Sequence, residues 1–493
     1  MKTFSLKALA LLTAFTCAQS LIADEASSTA LKLPAIFGDN MVLQQEQAVP
    51  VWGWSAPGDR VLVKFAGQSK STRANDQGRW SVKLSKLKAS SDPQSLTIES
   101  GVTKTFTNIL VGEVWLCSGQ SNMEKPIGDQ PGQKPCFNAP QELAAGNYPN
   151  IRLFKVEKVL SPKPLDDLQK FAAWRSCDSN ALESIKFSAA GYFFGREIHT
   201  NLNVPVGLVE SSWGGTRIEP WTPPVGFDSI PSLKYLDAPP TGKIANTTPM
   251  AIYNAMIAPI AGFSIRGALW YQGESNCMGT NDDYLTYEDK MKAMVNGWRK
   301  IWDEGNFPFY FVQIAPFKYY TGKVRRVVSA DALPEFWTIQ SRAARSIKNA
   351  GMVVTTDLVN DLNDIHPRDK QSVGHRLALL ARRKTYGEKN VVADGPAFRR
   401  MKIEGNKAVL SFENIDGGLV SPNNAPLTWF TIAGADGKFV PAEAKIVGDT
   451  VEVSAAGIEK PVAVRFAWDE SAQPNFFNQA GLPCEPFQTE SKN

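Results

Sequence analysis

Hydrophobic and polar positions give the chain three textures. From about Leu31 to Leu110, short runs rich in Val, Trp, Phe and Thr (Val49 to Trp54, Arg60 to Phe65, Arg79 to Leu84, Ser95 to Glu99, Lys104 to Leu110) are separated by Ala-Pro-Gly-Asp, Asp-Gln-Gly and Ser-Asp-Pro. Such punctuation without a helical period predicts a small antiparallel β-sandwich. At Val111 the texture changes. Apolar strand-like runs at Val111 to Cys117, Val204 to Glu210, Ile265 to Tyr271, Pro308 to Ile314 and Met352 to Leu358 alternate with longer amphipathic segments at Phe187 to Leu202, Met250 to Ala258, Tyr284 to Trp302, Leu333 to Lys348 and Pro367 to Tyr386. In Phe187 to Leu202, for example, Ala190, Phe193, Phe194 and Ile198 recur at steps of three and four, which is one helix face. The alternation predicts an α/β unit, a parallel sheet of about five strands with helices on both faces, as a flavodoxin-like three-layer sandwich. From about Val391 strand-like runs return at Lys407 to Phe412, Leu427 to Ile432, Ala444 to Val447, Thr450 to Val453 and Ala463 to Trp468, a second β region.

The expected organisation is therefore residues 1–23 as a leader, 24–110 as a β-sandwich, 111–390 as the α/β unit and 391–493 as a C-terminal β region. The leader follows from Lys2 and Lys7, the apolar run Ala8 to Phe15, and cleavage near Ala23 before Asp24 and Glu25. That run is well short of the ~20 residues of a spanning helix. Cys17 is a poor lipid-attachment site behind Phe15 and Thr16. The mature chain is expected to be exported, periplasmic or extracellular, without stable membrane insertion.

One stretch organises the rest: Val111 to Met123, V-G-E-V-W-L-C-S-G-Q-S-N-M. A buried run ends at Ser118-Gly119 and delivers Ser121 to a tight turn, at the strand end where open α/β sheets bind ligands. Ser121 is thus a candidate nucleophile, against the plainer reading of Ser118 to Asn122 as a polar turn. Two irregular connections, Glu124 to Asn150 and Pro223 to Thr248, are long enough to shape a binding site.

Charge and composition narrow the chemistry. At 493 residues, 43% hydrophobic and a net charge of +4, the chain is globular, multi-domain and without the basic stripe of a nucleic-acid partner. Cys117, Cys136, Cys177, Cys277 and Cys484 form no C-x-x-C pair; Cys136 with Cys177 is the first disulfide to test in an exported protein.

A serine nucleophile needs a base, and the chain has only three histidines. His199 and His375 fall inside helices. His366 instead follows the strand Met352 to Leu358 and the acidic loop Asn360-Asp361-Leu362-Asn363-Asp364, at the same sheet end as Ser121. Asp364 is the nearest carboxylate to orient it, with Asp361 and Asp357 farther back. Oxyanion donors, worth roughly 3 to 4 kcal/mol apiece, are available in Trp213-Gly214-Gly215-Thr216 and in Gln272-Gly273-Glu274-Ser275-Asn276, each after a predicted strand. The chain lacks G-x-S-x-G, a Walker A sequence, G-x-G-x-x-G and clustered metal ligands, so nucleotide cofactors and zinc are not expected. Glu274 with Asp364 as a glycosidase pair is the rival enzyme reading. A carbohydrate-binding protein, favoured by 13 Trp and two β regions, is the rival non-enzyme.

The blocks together resemble the bacterial sialate O-acetylesterases, SGNH hydrolases related to acetylxylan esterases. Phe37 to Gln44, Ser118 to Met123, Trp213 to Trp221, Trp270 to Asn276, Asp364 to Lys370, and Phe476 to Asn478 with Gly481 to Pro483 carry the resemblance, in order and over nearly the whole mature chain. It implies an SGNH hydrolase fold and hydrolysis of a carbohydrate O-acetyl ester without a cofactor. Ser121 would attack and His366 would act as base and then acid. The N–H groups of Ser121 and of Gly214 or Gly215, with Gln272 or Asn276, would form the oxyanion hole. One departure stands out: the superfamily's acid lies three residues before the histidine, where this chain has Asn363. Asp364 would orient the ring, or the Asn363 carbonyl would, leaving a Ser-His dyad. Arg217 could pair with a sialate carboxylate or brace its own loop. Acetylated sialic acid, xylan and pectin all remain open as substrates.

Overall fold

The computed structural model describes residues 31–238, 242–278 and 283–489. The expected leader 1–23, with Cys17, lies outside them. No helix among the described residues is long and apolar enough to cross a membrane.

The central sheet is built on β1 (Val102–Gly119), β2 (Tyr148–Lys155), β3 (Val206–Ser212), β4 (Gly267–Tyr271), β5 (Phe309–Val312) and β6 (Ala350–Val353), in the order β6-β5-β4-β1-β3-β2. All six run parallel, and Arg175–Cys177 adds an antiparallel edge beside β2. Setting β2 aside, the remaining five strands have the 2-1-3-4-5 order of a flavodoxin-like sheet. The carboxyl ends of three strands lie level, because Gly119 pairs with Ser212 on one side and Tyr271 on the other. That ridge is where the site forms.

Both faces of this sheet are covered, which is why β3 and β4 are buried at every position. On one face, Trp115, Leu208, Leu269 and Tyr310 pack with α1 (Ala189–Leu202) and α4 (Lys370–Leu380); Trp115 meets Phe194 at 5.0 Å. On the other, Leu116, Val209, Trp270 and Phe311 pack with α2 (Tyr287–Trp302) and α3 (Ala332–Ser346). There Trp270 sits edge-on to Trp221 and Trp298, at 5.9 and 5.8 Å. Each such contact adds about 0.5–1.5 kcal/mol beyond area burial.

The N-terminal region is mostly antiparallel, with Val42–Gln44 as its parallel exception. Arg79–Leu84 alternates exposed and buried residues in strict sequence and pairs with Val49–Trp54. Strand β1 belongs to both regions: its first half pairs with Ser90–Ser100 and Val42–Gln44, and its second half with β3 and β4. The C-terminal region holds a sheet of Ala397–Glu404, Lys407–Glu413, Thr450–Ser454 and Glu443–Val447, and a second of Phe439–Pro441, Phe430–Ala433, Ala463–Phe466 and Phe487–Gln488.

Two expectations are corrected. The parallel sheet has six strands rather than five, because β2 reads Y-P-N-I-R-L-F-K and its Pro149 and Arg152 break the apolar run. Arg152 is tolerated in the buried strand because its guanidinium donates to the carbonyls of Pro149, Asn40 and Asn108. Cys136 and Cys177 form no disulfide. Both are buried free thiols with separate acceptors, the carbonyls of Pro126 and Gly146.

Candidate active site

Ser121 opens the four-residue helix Ser121–Glu124 directly after β1. The turn requires Gly119, whose φ is +140° and where a Cβ would lie 2.2 Å from the Tyr271 carbonyl oxygen on β4. The chain therefore rises between two neighbouring strands and presents Ser121 at their ends.

His366 meets it. His366 Nε2 lies 2.9 Å from Ser121 Oγ, so with the proton on Nδ1 the ring accepts from the hydroxyl. Burial, reinforced by the Lys370 and Lys125 charges, pulls the imidazole from its ordinary 6.5 down to about 4. The ring is thus neutral at pH 7, the form that can accept a proton. Asp364 stands on the other side at 3.8 Å from Nδ1, an ion-pair rather than a hydrogen-bond separation. Its Oδ1 accepts instead from the His366 backbone N–H at 3.0 Å, an Asx-type bond that fixes the loop.

Gly214 lies against Ser121: a Cβ there would come within 3.2 Å of the Ser121 Cβ. Its N–H donates to Glu124 Oε2 at 2.7 Å, and the Glu124 carboxylate is also paired with Lys158. Gly215 follows in a left-handed conformation, φ +75°.

Behind this front is a buried polar brace. Gln272 Nε2 reaches Gln120 Oε1, the Thr216 carbonyl and Asn276 Oδ1 at 3.1, 3.1 and 2.8 Å, and its Oε1 accepts from Tyr287 at 2.8 Å. Asn276 accepts from the Ile218 N–H at 3.0 Å and donates to Glu219. Glu219 continues to Lys290, Asp283 and, at 3.4 Å, Arg217. Gln272 and Asn276 therefore tie the 213–221 loop to the end of β4, and Arg217 ties it to Asp283, ahead of α2.

A second buried array passes under the Ser121 helix. Asn122 donates to Glu274 Oε1 at 2.5 Å and to the Ile365 carbonyl at 3.0 Å, and accepts from Lys370 Nζ at 2.8 Å. Burial raises the Glu274 carboxyl and lowers Lys370 to about 7. Glu274 Oε2 has no hydrogen-bond partner among the described residues. Asn122 thereby connects the residue after the serine to the residue before the histidine.

The remaining histidines are elsewhere: His199 Nδ1 bonds the Val204 carbonyl, and His375 pairs with Glu197, each at 2.7 Å. Sequence reasoning did not single out Asn122, Glu124, Lys158 or Lys370. Asn122 and Lys370 fall inside the blocks Ser118 to Met123 and Asp364 to Lys370, but nothing in their local sequence marks them as buried partners of each other.

Residues 111–382 match the family model described as carbohydrate esterase, sialic acid-specific acetylesterase. A human sialate O-acetylesterase is 30% identical over 514 aligned positions, covering 94% of each chain, and a mouse one 30% identical over 76% of this chain and 78% of its own. A crystal structure of a carbohydrate acetylesterase from Xanthomonas citri superposes with a TM-score of 0.83 at 35% identity, covering 94% of this chain and all of that one. With the family model matched over more than half of the chain and a relative 30% identical over 94% of it, the chain belongs to the sialic acid-specific acetylesterase family of carbohydrate esterases and is a carboxylic-ester hydrolase.

Proposed function

We propose that the chain removes acetyl groups from O-acetylated sugars, O-acetylated sialic acid first among them, through an acetyl-enzyme on Ser121 in an SGNH-type unit. The observation that carries this reading is the 2.9 Å contact between Ser121 Oγ and the neutral His366 ring at the carboxyl end of a central parallel strand. The hydroxyl oxygen attacks the acetyl carbonyl carbon while its proton passes to His366 Nε2. The tetrahedral intermediate collapses, the sugar oxygen leaves with that proton, and water drawn on by the same nitrogen then releases acetate.

The Ser121 N–H and the Gly214 or Gly215 N–H are the oxyanion donors in this reading. Gly214 can serve only when Glu124 yields its hydrogen bond. Gln272 and Asn276 support the hole from behind, and Arg217 braces its loop through Asp283. Asp364 acts through its charge and through the backbone of His366, which makes the site closer to a Ser-His dyad than to a hydrogen-bonded triad. Export through the leader 1–23, and division of the mature chain near residues 110 and 390, belong to the same proposal; N-terminal sequencing of secreted protein should begin at residue 24.

The test is acetate release by wild type and Ser121→Ala from O-acetylated sialic acid, acetylated xylan and acetylated pectin, with mass spectrometry of quenched wild type for the acetyl adduct. Activity retained by Ser121→Ala would sink the nucleophile assignment. Preference for xylan or pectin would move the substrate from sialate to polysaccharide.

A further inference from the structure

Lys370 stands beside the ester site at a position where stability alone favours another residue. It opens α4 directly after the Asp369 N-cap, and its side chain is wholly buried. The first turn of a helix carries positive partial charge, so the dipole opposes an ammonium there. Removal from water opposes it again, and a methionine would fill the same space without either cost. What Lys370 has and a methionine lacks is a charge and donor hydrogens, and both are directed at the reacting pair. Its Nζ donates to Asn122 Oδ1 at 2.8 Å, over the face of Tyr271 at 5.0 Å from the ring centre. With its oxygen held there, the amide turns its nitrogen to Glu274 Oε1 at 2.5 Å and to the Ile365 carbonyl at 3.0 Å. An amide between an ammonium and a carboxylate has each end on the matching charge, and its second N–H holds the residue next to His366. One side chain thus pins three segments: the helix that starts at Ser121, the block after β4 and the loop that carries His366. The titratable and charged groups that act on Lys370 are Cys136, Lys125, Glu274 and Asp369, and those that act on His366 are Lys370, Asp364, Lys125 and Glu124. Of the two cations acting on the ring, Lys370 is the stronger.

We propose that Lys370 is a positioning residue for the ester reaction: through Asn122 it binds the His366 loop to the Ser121 helix, and it sets a buried cation against the imidazole. This rests on the reading of Ser121 as nucleophile and His366 as base. The Asn122–Ile365 bond holds the backbone from which the ring reaches its 2.9 Å contact with Ser121 Oγ. Loosening that tie misplaces the base, and small misplacements of a reacting group cost large factors in rate. The cation disfavours the imidazolium, so the resting ring keeps Nε2 free to take the Ser121 proton. Lys370 touches neither the ester nor the serine, and acts only through the amide and through its charge.

The test is the pH profile of kcat/KM on p-nitrophenyl acetate, from about pH 3.5 to about pH 8, for wild type, Lys370→Met and Lys370→Gln. Both substitutions remove the charge, and the glutamine variant carries the test if the methionine variant does not fold, as judged by circular dichroism. The acid limb should move up from its wild-type position at about 4 by about half a unit or more, and only part of the way to 6.5, because burial and Lys125 still act on the ring. At about pH 7 kcat should fall about fivefold or more, with the loss in kcat rather than in KM. A folded variant whose limb moves by less than about half a unit, or whose kcat falls by less than about fivefold, overturns the proposal. A purely structural lysine would lower kcat and leave the limb in place. The reading of Ser121 on which this rests fails differently, by activity on the same ester in Ser121→Ala.

Discussion

The segment Gln272–Asn276 leaves β4 and the segment Asp361–His366 leaves β6, at the same end of one parallel sheet and with the same mixture of amides and carboxylates. In the first, Gln272, Glu274 and Asn276 are almost wholly buried, and the two amides are fully engaged with neighbouring groups. In the second, the residues are half-exposed or exposed, and the His366 ring meets Ser121 through one nitrogen while Asp364 stands off the other. Residue type at a strand end is thus a weak guide to chemistry. What separates the two is that the amides of the supporting loop are already engaged with each other and with the 213–221 loop, whereas the histidine of the reacting loop keeps a ring nitrogen on the serine hydroxyl.

The largest effect expected on that contrast is at His366. His366→Ala should lower kcat on p-nitrophenyl acetate by on the order of 10³-fold with little change in melting temperature; a variant keeping a tenth of the activity would make the two loops equivalent. Asn276→Ala should behave in the opposite way. It strands the Ile218 N–H and takes one donor from the Glu219 carboxylate, which keeps its ion pair with Lys290, and should cost about 1–3 kcal/mol of stability by urea unfolding. If kcat falls 10²-fold while stability holds, Asn276 is an oxyanion donor and the supporting role is lost.

The next effect is in pH. Because the folded His366 titrates near 4, the acid limb of kcat/KM should lie near pH 4 instead of at the ordinary histidine value of about 6.5. Below about 6.5 the unfolded chain takes up the proton first, so this histidine's contribution to stability declines as pH falls from there toward 4. A limb near 6.5 would show a ring much better hydrated than its burial indicates. The smallest effect is at Asp364. At 3.8 Å it supports the imidazolium by charge alone, so Asp364→Asn should reduce kcat about tenfold, against the ~10⁴-fold loss seen when such a carboxylate holds the ring by a hydrogen bond.

Much of this was legible in the sequence, for physical reasons. Strands β1, β3, β4, β5 and β6 are visible because a parallel sheet covered on both faces needs continuous apolar runs. Strand β2 is hidden because Arg152 can be buried only with carbonyls from Asn40 and Asn108, more than forty residues away, that no local window contains. The Ser121–His366 pair was accessible because only three histidines compete and one alone follows a strand. Lys370 was not. A lysine on a helix reads as solvent-facing, and its burial depends on Asn122 and on the ring of Tyr271, 5.0 Å away. The absent disulfide has the same origin, since spacing carries no information on whether two thiols can reach one another.

Strand β1 carries a consequence for anyone who would cut or transplant the protein. It starts as a hairpin partner of Ser90–Ser100, is kinked at Asn108 with φ +56°, and ends by presenting the residue that precedes Ser121 by two. A fragment beginning at residue 111 keeps every group of the ester site yet severs the Val42–Gln44 and Ser90–Ser100 pairings from the strand that supports it. The hydrolase portion is therefore not a portable cassette: grafted alone onto another scaffold, it would carry its serine on a strand with one end newly made into a terminus, free to fray.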